Sequence, residues 1–457
     1  MNRATGTQLF RSAKTSSNPT PPTPHRRTSQ IAALLVAVSL LLGHELGALR
    51  AATAQRAFDF VRTVGTRIDL QHANYTNNWS AAKSALLDAK IRYVRASGRG
   101  LHNDPTRVNL MKQLIVSPYS IDFDLVYGSA TETFANMHSA IDTALAEFGT
   151  AGIIAFEGPN EWSKHWYKED IPNWDQWASQ VNTFQTELNR YLRVDKNWPS
   201  TKRVIAPTMW RRDRWAYGQV NIANACDRGN LHYYHGDKKP TLTGACEGPA
   251  KSGGNPSNTF TESMDQAITD MRVMKPGSFW VTETGSATST GGDIAGTVSP
   301  TVAAKYLPRL VAEFFNRGAG KVFLFELIDA ADGSYGLLNS NGVRKASYNS
   351  VKNMMTLLDD SASTFTPGSI SYSGVSGVQS LLLQKTSATG KFYLLLWRDI
   401  VSGDNENTTP ITLTFGSPVA QVRTATPFSG TGWTTKSGSN NFSLNVPDHI
   451  MIVEITK

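Results

Sequence analysis

Apolar and polar positions follow two alternating patterns between residues 65 and 358. Short runs rich in β-branched residues recur eight times, and longer segments with apolar residues three and four positions apart lie between them. Runs of the first kind predict buried strands, and segments of the second kind predict amphipathic helices. Eight such units in about 295 residues fit a (β/α)8 TIM barrel better than a doubly wound parallel sheet.

The predicted elements alternate strictly along this part of the chain. The strands are predicted at 65–70, 91–96, 121–127, 152–157, 203–207, 230–234, 278–283 and 321–328. The predicted helices include 81–89, 134–147, 174–193, 263–274, 302–317 and 345–358. This alternation is typical of an α/β fold with a parallel sheet whose outer face is covered by helices.

The pattern changes after Asp360, where Ser, Gly and Thr separate runs of period two. Strands are predicted there at 378–385, 391–397, 410–415, 441–446 and 450–456, and no helical period follows. These features predict a small antiparallel β-sandwich of about a hundred residues. The predicted organisation is therefore a leader at 1–54, a (β/α)8 barrel at 55–359 and a C-terminal β-sandwich at 360–457.

The first 54 residues have the features of a secretory signal. Residues 1–30 are polar and basic, and the apolar run 31–42 has twelve residues, fewer than the roughly 20 that a membrane-spanning helix needs. Ala52-Thr53-Ala54 before Gln55 fits an A-x-A cleavage site. We therefore expect a secreted or periplasmic protein that begins near Gln55; a twin-Arg signal at Arg26-Arg27 and a retained anchor are the alternatives.

Charge and motifs narrow the possible partners. The chain has a net charge of +8, of which the leader supplies +5, so +3 remains. Polybasic runs with interleaved aromatics are missing, so we expect no nucleic-acid partner. Phosphate-binding glycine loops after a strand, G-x-S-x-G and H-E-x-x-H are also missing, which disfavours nucleotide-binding, serine-hydrolase and metallopeptidase chemistry. We expect the mature protein to be a monomer that is not associated with the membrane once the signal is cleaved. We also expect it to need neither a metal nor an organic cofactor.

The two cysteines suggest a covalent link. Cys226 and Cys246 are separated by nineteen residues, and an exported protein meets oxidising conditions. A disulfide closing this loop would contribute about 3 kcal/mol, and two cysteines alone are too few for a structural zinc site. We therefore predict a Cys226–Cys246 disulfide.

Two glutamates lie at the ends of predicted barrel strands. Glu161 closes the segment Glu157-Gly158-Pro159-Asn160-Glu161 after the fourth strand, and Glu283 ends the seventh. The carboxyl ends of barrel strands meet at one rim, where barrel enzymes have their active sites. Retaining glycoside hydrolysis needs two carboxylates about 5–5.5 Å apart, with environments that keep one protonated and the other ionised.

This arrangement resembles clan A, the retaining glycoside hydrolases built on (β/α)8 barrels. In that clan the acid/base follows Asn after the fourth strand, as Glu161 follows Asn160, and the nucleophile ends the seventh strand, as Glu283 does. The resemblance implies that Asn160 binds the substrate 2-hydroxyl. It covers residues 65–358, and a trailing β-sandwich also occurs among clan members.

Further residues match the clan's supporting positions. Asn230-Leu231-His232-Tyr233-Tyr234 on the sixth strand resembles the His-x-Tyr segment. The resemblance implies that Tyr234 holds the nucleophile and that His232 lies near the acid/base. Arg95 on the second strand matches the clan's arginine, whose charge would keep Glu283 ionised.

Other candidates depart from the clan pattern or have more ordinary interpretations. Gly158 stands where many members have a larger residue, and Trp162 replaces a frequent proline. Trp162 and Trp210 could stack on sugar rings, although aromatics often only pack against loops. Glu326, where several families place a tryptophan, could bind substrate or form a hydrogen-bonded rim. Glu157 alternates with Phe156, so we expect it to face away from the site in a buried ion pair.

The function expected from these residues is a secreted retaining glycosidase that cleaves β-linked poly- or oligosaccharide. A transglycosylase would use the same two glutamates and differ in whether water or a sugar receives the intermediate. A carbohydrate-binding protein on a degenerate barrel is an alternative of another class, and the presence of both glutamates counts against it.

Overall fold

The protein folds as a helix-covered barrel followed by a β-sandwich. The computed structural model describes residues 49–128, 132–162, 175–209, 214–242, 263–289, 296–330, 334–361, 364–388, 390–437 and 440–457. Strands are numbered β1–β18 and helices α1–α10 in chain order. Residues 47–457 form one compact unit, which contains both the barrel and the sandwich.

Eight parallel strands form the barrel. They are β3 (Val64–Arg67), β4 (Tyr93–Ser97), β5 (Asp122–Val126), β6 (Ile153–Glu157), β7 (Arg203–Ile205), β8 (Gly229–Tyr234), β9 (Phe279–Gly285) and β10 (Ala319–Leu324). Neighbours along the chain pair with each other, and β10 pairs with β3. β7 and β8 meet through a parallel bridge between Ile205 and Arg228, so the barrel is nearly closed. The predicted fold class is confirmed.

Helices cover the outside of the barrel. They are α1 (Ala57–Val61), α2 (Ala73–Asn77), α3 (Trp79–Asp88), α4 (Pro105–Ile115), α5 (Phe134–Phe148), α6 (Asp175–Arg190), α7 (Arg214–Gly218), α8 (Met264–Met274), α9 (Pro300–Asn316) and α10 (Ala346–Leu358). Side chains of Thr133, Ser263 and Ser299 accept from backbone N–H groups at the starts of α5, α8 and α9. Such caps satisfy N–H groups that have no partner within the helix.

The helix α4 was not among those named from the sequence, although a helical segment was expected between the second and third strands. α4 has a weak apolar period, and its buried residues include Arg107. Its boundary signal was nevertheless present: Asp104 accepts from the Arg107 N–H, and Pro105 occupies the first helical turn. Proline fits there because the first turn has no internal partner for an N–H group.

Two sheets form the sandwich. One has the strands β1 (Arg50–Thr53), β11 (Ser369–Ser373), β14 (Thr408–Phe415) and β17 (Asn441–Pro447). The other has β2 (Gln55–Arg56), β12 (Gln379–Gln384), β13 (Lys391–Trp397), β15 (Gln421–Ala425), β16 (Thr434–Ser437) and β18 (Met451–Thr456). All pairs are antiparallel except β2 with β12. Buried apolar residues of both sheets form one core, among them Leu394, Val453, Leu413 and Val446.

The start of the described chain belongs to the sandwich, which differs from the predicted domain boundaries. β1 pairs with β11, and Ala54 donates its backbone N–H to Gly368. Ala54 is 4% exposed and packs in the sandwich core. The chain thus contributes two strands to this domain before it enters the barrel, although the sequence interpretation had placed these residues in the leader and the barrel.

Charged side chains join the sandwich to the barrel. Asp399 in the sandwich accepts from Thr241 and Lys239, which follow β8, and from Arg309 on α9. Lys305 on α9 is fully buried and donates to the Asp448 carboxylate at 3.1 Å. These contacts fix the sandwich against the barrel wall.

The predicted disulfide is corrected by the structure. Cys226 is a free, buried thiol whose Sγ donates to the Ile222 carbonyl, four residues earlier. Burial raises the pKa of this thiol to about 12, so it is inert toward oxidation at neutral pH. Cys246 lies outside the described residues.

Within the described ranges, no helix is long and apolar enough to span a membrane.

Candidate active site

The candidate site lies at the rim where the barrel strands end. Glu283 is on β9, and Glu161 lies four residues beyond the end of β6. One oxygen of each carboxylate lies within 4.8 Å of the other and of a ring nitrogen of His232. The structure therefore brings together three of the residues that the sequence had singled out.

An irregularity in β9 orients Glu283. On one side of β9, Leu231 and His232 of β8 are consecutive but pair with Val281 and Glu283, so β9 has one extra residue. On the other side, Val322 and Leu324 of β10 pair with Val281 and Thr284, so β9 again has one residue more than its neighbour. Such a bulge re-aims side chains. As a result the consecutive residues Thr282 and Glu283 both contact groups of the barrel interior.

Two neighbours donate hydrogen bonds to Glu283, which is 7% exposed. Arg95 donates to Oε1 at 2.6 Å, and Tyr234 donates to Oε2 at 2.8 Å. Burial by itself would raise the pKa of Glu283, but the charges of His232, Arg95 and Arg67 and the Tyr234 hydrogen bond outweigh it and lower the pKa to about 2. Glu283 is therefore an ionised carboxylate at neutral pH.

Tyr234 keeps its proton. Burial and the nearby carboxylates raise its pKa well above the usual value. Its ring packs edge-on against Phe325 and Tyr335, with centroids 6.1 and 5.5 Å away. These contacts hold the hydroxyl as a donor toward Glu283.

Glu161 is held by its backbone and by one imidazole. Its φ of +48° lies in the left-handed region, which non-glycine residues rarely adopt outside functional sites. Its N–H donates to Thr208 Oγ1 at 3.1 Å, and its Oε1 lies 2.9 Å from His232 Nδ1. The side chain is 19% exposed, so Glu161 is more open to the cleft than Glu283.

Gly158 has a local explanation. A Cβ at this position would lie 1.8 Å from Gln185 Oε1. The fully buried Gln185 donates to the carbonyls of Ile205 and Ala225, so it cannot move aside without losing these bonds. The glycine therefore lets the segment before Glu161 pass close to α6.

Arg95 lies beneath the two glutamates and is 1% exposed. Besides Glu283, it donates to both oxygens of Glu157, at 2.7 and 2.8 Å, and to Asn160 Oδ1 at 2.7 Å. Burial alone would lower the pKa of Arg95, but the negative charges of Glu157 and Glu283 outweigh burial and raise this pKa. Glu157 thus forms the expected buried ion pair, but it faces the barrel interior under the site and not away from it.

A further buried carboxyl lies beside this pair. Asp124 on β5 is fully buried beside Glu157, and the protonated form of Asp124 can donate a hydrogen bond to that carboxylate. Burial and the negative charge of Glu157 raise its pKa well above the usual value, against the opposing charge of Arg95. Burial and the charge of Glu157 therefore favour the neutral form of Asp124.

Glu326 belongs to a separate cluster on the same rim. It is fully buried and accepts from Tyr75 at 3.1 Å and from Arg67 at 3.4 Å. Burial raises its pKa to about 7 against the charge of Arg67. Arg67 also donates to Asp69 at 2.8 Å and lies over the Phe325 ring. Glu326 is a hydrogen-bonded residue under the rim, and the partly exposed Arg67 lies between it and Glu283.

The predicted aromatic residues are placed differently. Trp162 is 5% exposed, and its indole N–H donates to Gln180. Its ring lies 6.1 Å from that of Phe184, so little of its face is open to a sugar. Trp210 lies outside the described residues.

Glu161, His232 and Glu283 also have the spacing of metal ligands. However, Arg95 and Tyr234 already donate to the two oxygens of Glu283. The positive charge of Arg95 beside this carboxylate disfavours a second cation, so the three side chains are better suited to acid–base chemistry.

Several residues of the site had not been singled out. Arg67 and Asp69 stand at the end of the first strand, and the rule that polar residues at strand ends form the site could have found them. Thr282 and Asn230 had no such signal, because regular alternation would place Thr282 on the opposite face from Glu283.

Comparison with known proteins gives similarity of structure but not of sequence. No protein-family model and no curated protein matches the chain. Among solved structures, AbfB, a family 51 alpha-L-arabinofuranosidase from Bifidobacterium longum, has a TM-score of 0.51 and 10% identity over 89% of this chain and 98% of its own.

Two other solved structures are more distant. A β-porphyranase of glycoside hydrolase family 86 from Bacteroides plebeius has a TM-score of 0.49 and 12% identity, over 90% of this chain and 75% of its own. The catalytic domain of GH30 xylanase C from Talaromyces cellulolyticus has a TM-score of 0.46 and 11% identity, over 90% of this chain and 98% of its own.

These structural neighbours are glycoside hydrolases of clan A, the group that the motifs resemble. At such low identity, the likeness shows a shared fold. The likeness to AbfB agrees with a barrel followed by a sandwich and does not distinguish a family within the clan.

Proposed function

We propose that this protein is an exported retaining glycosidase that acts on β-linked poly- or oligosaccharide. The observation that carries the proposal is the pairing of Glu161 and Glu283, whose oxygens lie within 4.8 Å of each other in different surroundings. This separation suits the roughly 5–5.5 Å of retaining enzymes and is shorter than the roughly 6.5–9.5 Å of inverting enzymes.

In the first step Glu283 attacks the anomeric carbon while Glu161 gives its proton to the departing glycosidic oxygen. The carbon–oxygen bond to the leaving group breaks, and a glycosyl ester of Glu283 forms. The pKa of about 2 keeps Glu283 ionised for this attack. Tyr234 and Arg95 hold its two oxygens, so the reacting carboxylate is already oriented before substrate binds.

In the second step Glu161, now ionised, takes a proton from water, which attacks the anomeric carbon and releases Glu283. Two inversions give net retention. Asn160 is exposed and its Oδ1 is occupied by Arg95. Its amide N–H groups can therefore donate to the sugar 2-hydroxyl, which is the role that the clan resemblance implies.

The test is hydrolysis of aryl β-glycosides and β-linked polysaccharides by the wild type, Glu161→Ala and Glu283→Ala. We expect either change to reduce kcat by several orders of magnitude. Azide should restore turnover of both, with a β-glycosyl azide from Glu161→Ala and an α-glycosyl azide from Glu283→Ala, because azide replaces a missing base in one and a missing nucleophile in the other.

Two results would count against the proposal. If the wild type binds glycans but does not cleave them, the protein is a binding module. If both variants keep wild-type activity, the reaction uses other residues. Product analysis with added sugar acceptors separates hydrolysis from transglycosylation.

A further inference from the structure

A chain of buried hydrogen bonds determines where His232 carries its proton. It begins at the backbone carbonyl of Ala206, which can only accept. Asn230 Nδ2 donates to this carbonyl at 2.9 Å, so the amide group of this fully buried side chain has a defined orientation. Its Oδ1 therefore faces the next member of the chain, Thr282.

Thr282 has one hydroxyl hydrogen and two acceptors within reach. Its Oγ1 lies 2.8 Å from Asn230 Oδ1 and 3.2 Å from Glu157 Oε1. Neither atom can donate, because one is an amide oxygen and the other belongs to the carboxylate paired with Arg95. Thr282 therefore donates its hydroxyl hydrogen to Asn230 Oδ1 or to Glu157 Oε1. Toward any third partner, Thr282 Oγ1 can only accept a hydrogen bond.

That third partner is His232 Nε2, at 3.1 Å from Thr282 Oγ1. Since Thr282 must accept, Nε2 must carry a hydrogen. The other ring nitrogen, Nδ1, lies 2.9 Å from Glu161 Oε1 and 3.5 Å from Glu283 Oε2. One further proton can then lie between Nδ1 and Glu161.

We propose that Asn230 and Thr282 are positioning residues that keep His232 protonated at Nε2, so that Glu161 and His232 hold their second proton between Nδ1 and Oε1. The last part of this inference, delivery of that proton to a leaving group, depends on the proposed glycosidase function. When Glu161 protonates the glycosidic oxygen, the proton leaves this hydrogen bond and Nε2 stays protonated.

The surroundings favour this arrangement. Glu283 Oε2 lies 3.5 Å from His232 Nδ1 and accepts from Tyr234, Arg95 donates to Oε1 of the same carboxylate, and Glu157 lies 3.2 Å from Thr282 Oγ1. A proton on Nδ1 leaves an imidazolium beside an ionised Glu161, and a proton on Oε1 leaves both groups neutral. The net charge of the pair is zero in both forms, so the proton can lie at either atom.

Loss of the Thr282 hydroxyl should change the tautomer. In Thr282→Val, Nε2–H would have no acceptor in a buried position, which is costly. A neutral imidazole protonated at Nδ1, donating to an ionised Glu161, then becomes the better form. The pair has lost a proton, and Glu161 is no longer an acid. Thr282→Ser keeps the hydroxyl and should keep the wild-type form.

Long-range 15N NMR of protein labelled in histidine reads the tautomer directly, with His232→Asn used to assign the signal. We expect Nε2 of His232 to carry the proton in the wild type and in Thr282→Ser, and Nδ1 to carry it in Thr282→Val. Thr284→Val is the matched control on the same strand, since its hydroxyl is buried and has no partner among the described residues. It should leave the signal unchanged.

Kinetics supply the second readout. In Thr282→Val, kcat/KM for glycosides with poor leaving groups should fall about tenfold or more, as expected when general acid assistance is lost. Dinitrophenyl glycosides need no protonation and should change about twofold or less. A purely structural role would affect both substrates alike.

The inference is overturned if wild-type His232 is protonated only at Nδ1, or if Thr282→Val leaves the tautomer unchanged. The wild-type spectrum alone shows which nitrogen of His232 is protonated, so this test holds even if a variant fails to fold. An inactive wild type with the expected spectrum would overturn the proposed function and still support the role of Asn230 and Thr282 in holding the tautomer.

Discussion

Glu161 and Glu283 are the same residue type, and they differ in the charges that face them. Arg95, Arg67 and Tyr234 favour the ionised form of Glu283, with a pKa of about 2. Glu161 contacts the imidazole of His232 and is more exposed. The two carboxylates therefore lie in different surroundings, as acid/base and nucleophile roles require.

Tyr234→Phe should shift the pH dependence of kcat/KM on its acidic side. The hydroxyl favours the ionised form of Glu283, so its removal raises the pKa of Glu283. The acidic limb therefore moves to higher pH. We expect kcat/KM at neutral pH to fall about tenfold to a hundredfold, equivalent to about 1.5–3 kcal/mol for a hydrogen bond to a charged group. Tyr119→Phe, before β5 at the opposite end of the barrel, should change neither quantity.

Replacing Asp124 and Glu157 by their amides should change the free energy of unfolding to very different extents. Burial favours the neutral form of Asp124, so Asp124→Asn should change the free energy of unfolding by about 1 kcal/mol or less. Glu157→Gln removes the charge that Arg95 contacts twice and should cost about 3–5 kcal/mol, as for other broken buried ion pairs. Urea unfolding followed by fluorescence measures both. Equal losses would mean that Asp124 is ionised in the folded protein.

At the scale of elements, the barrel strands and most helices could be predicted because their local pattern and their burial agree. The strand predicted at 391–397 coincides with β13, and that at 230–234 differs from β8 by one residue. The rim position of Glu161 and Glu283 follows from strand order alone. Partners such as Arg95 with Glu157 come from different strands, and their contact depends on register, which the pattern does not contain.

Two kinds of element could not be predicted. The extra residue in β9 comes from pairing with β8 and β10 together, so no local signal marks it. β1 and β2 are four and two residues long and become strands only through pairing with residues more than 300 positions away. Their sequence also matches the end of a signal peptide, and that interpretation was preferred.

If the protein is exported, as we propose, the pairing of β1 predicts where the mature chain begins. Cleavage after Ala54 would remove a strand that pairs with β11 and would expose part of the sandwich core. We therefore expect the exported protein to begin at or before Arg50, which intact-mass measurement determines. A chain engineered to begin at Gln55 should unfold at a lower temperature. An exported chain that begins at Gln55 with unchanged stability would contradict this.

At the scale of the whole molecule, the sandwich and the barrel share buried charges. Lys305 and Arg309 on α9 are fully buried and find partners in Asp448 and Asp399 of the sandwich. If the sandwich were absent, these cations would lie on the barrel surface next to apolar groups. We infer that the two parts unfold together.

Asp399→Ala should reveal this coupling. It removes the acceptor of Thr241, Lys239 and Arg309, and we expect a loss of about 2–4 kcal/mol in a single unfolding transition, as for a largely buried ion pair. Asp195→Ala, which breaks an exposed pair with Arg190, should leave the free energy of unfolding nearly unchanged. Two separate transitions in the wild type would show that sandwich and barrel are independent.

We propose that Glu283 forms a covalent intermediate, with Glu161 as the acid/base. The most direct test is inactivation by a 2-deoxy-2-fluoro β-glycoside of whichever sugar the enzyme releases, followed by peptide mass spectrometry. We predict one label, on Glu283, and a product that keeps the β-configuration. An active enzyme that carries no label and releases the α-product, or one labelled on another residue, would contradict the account.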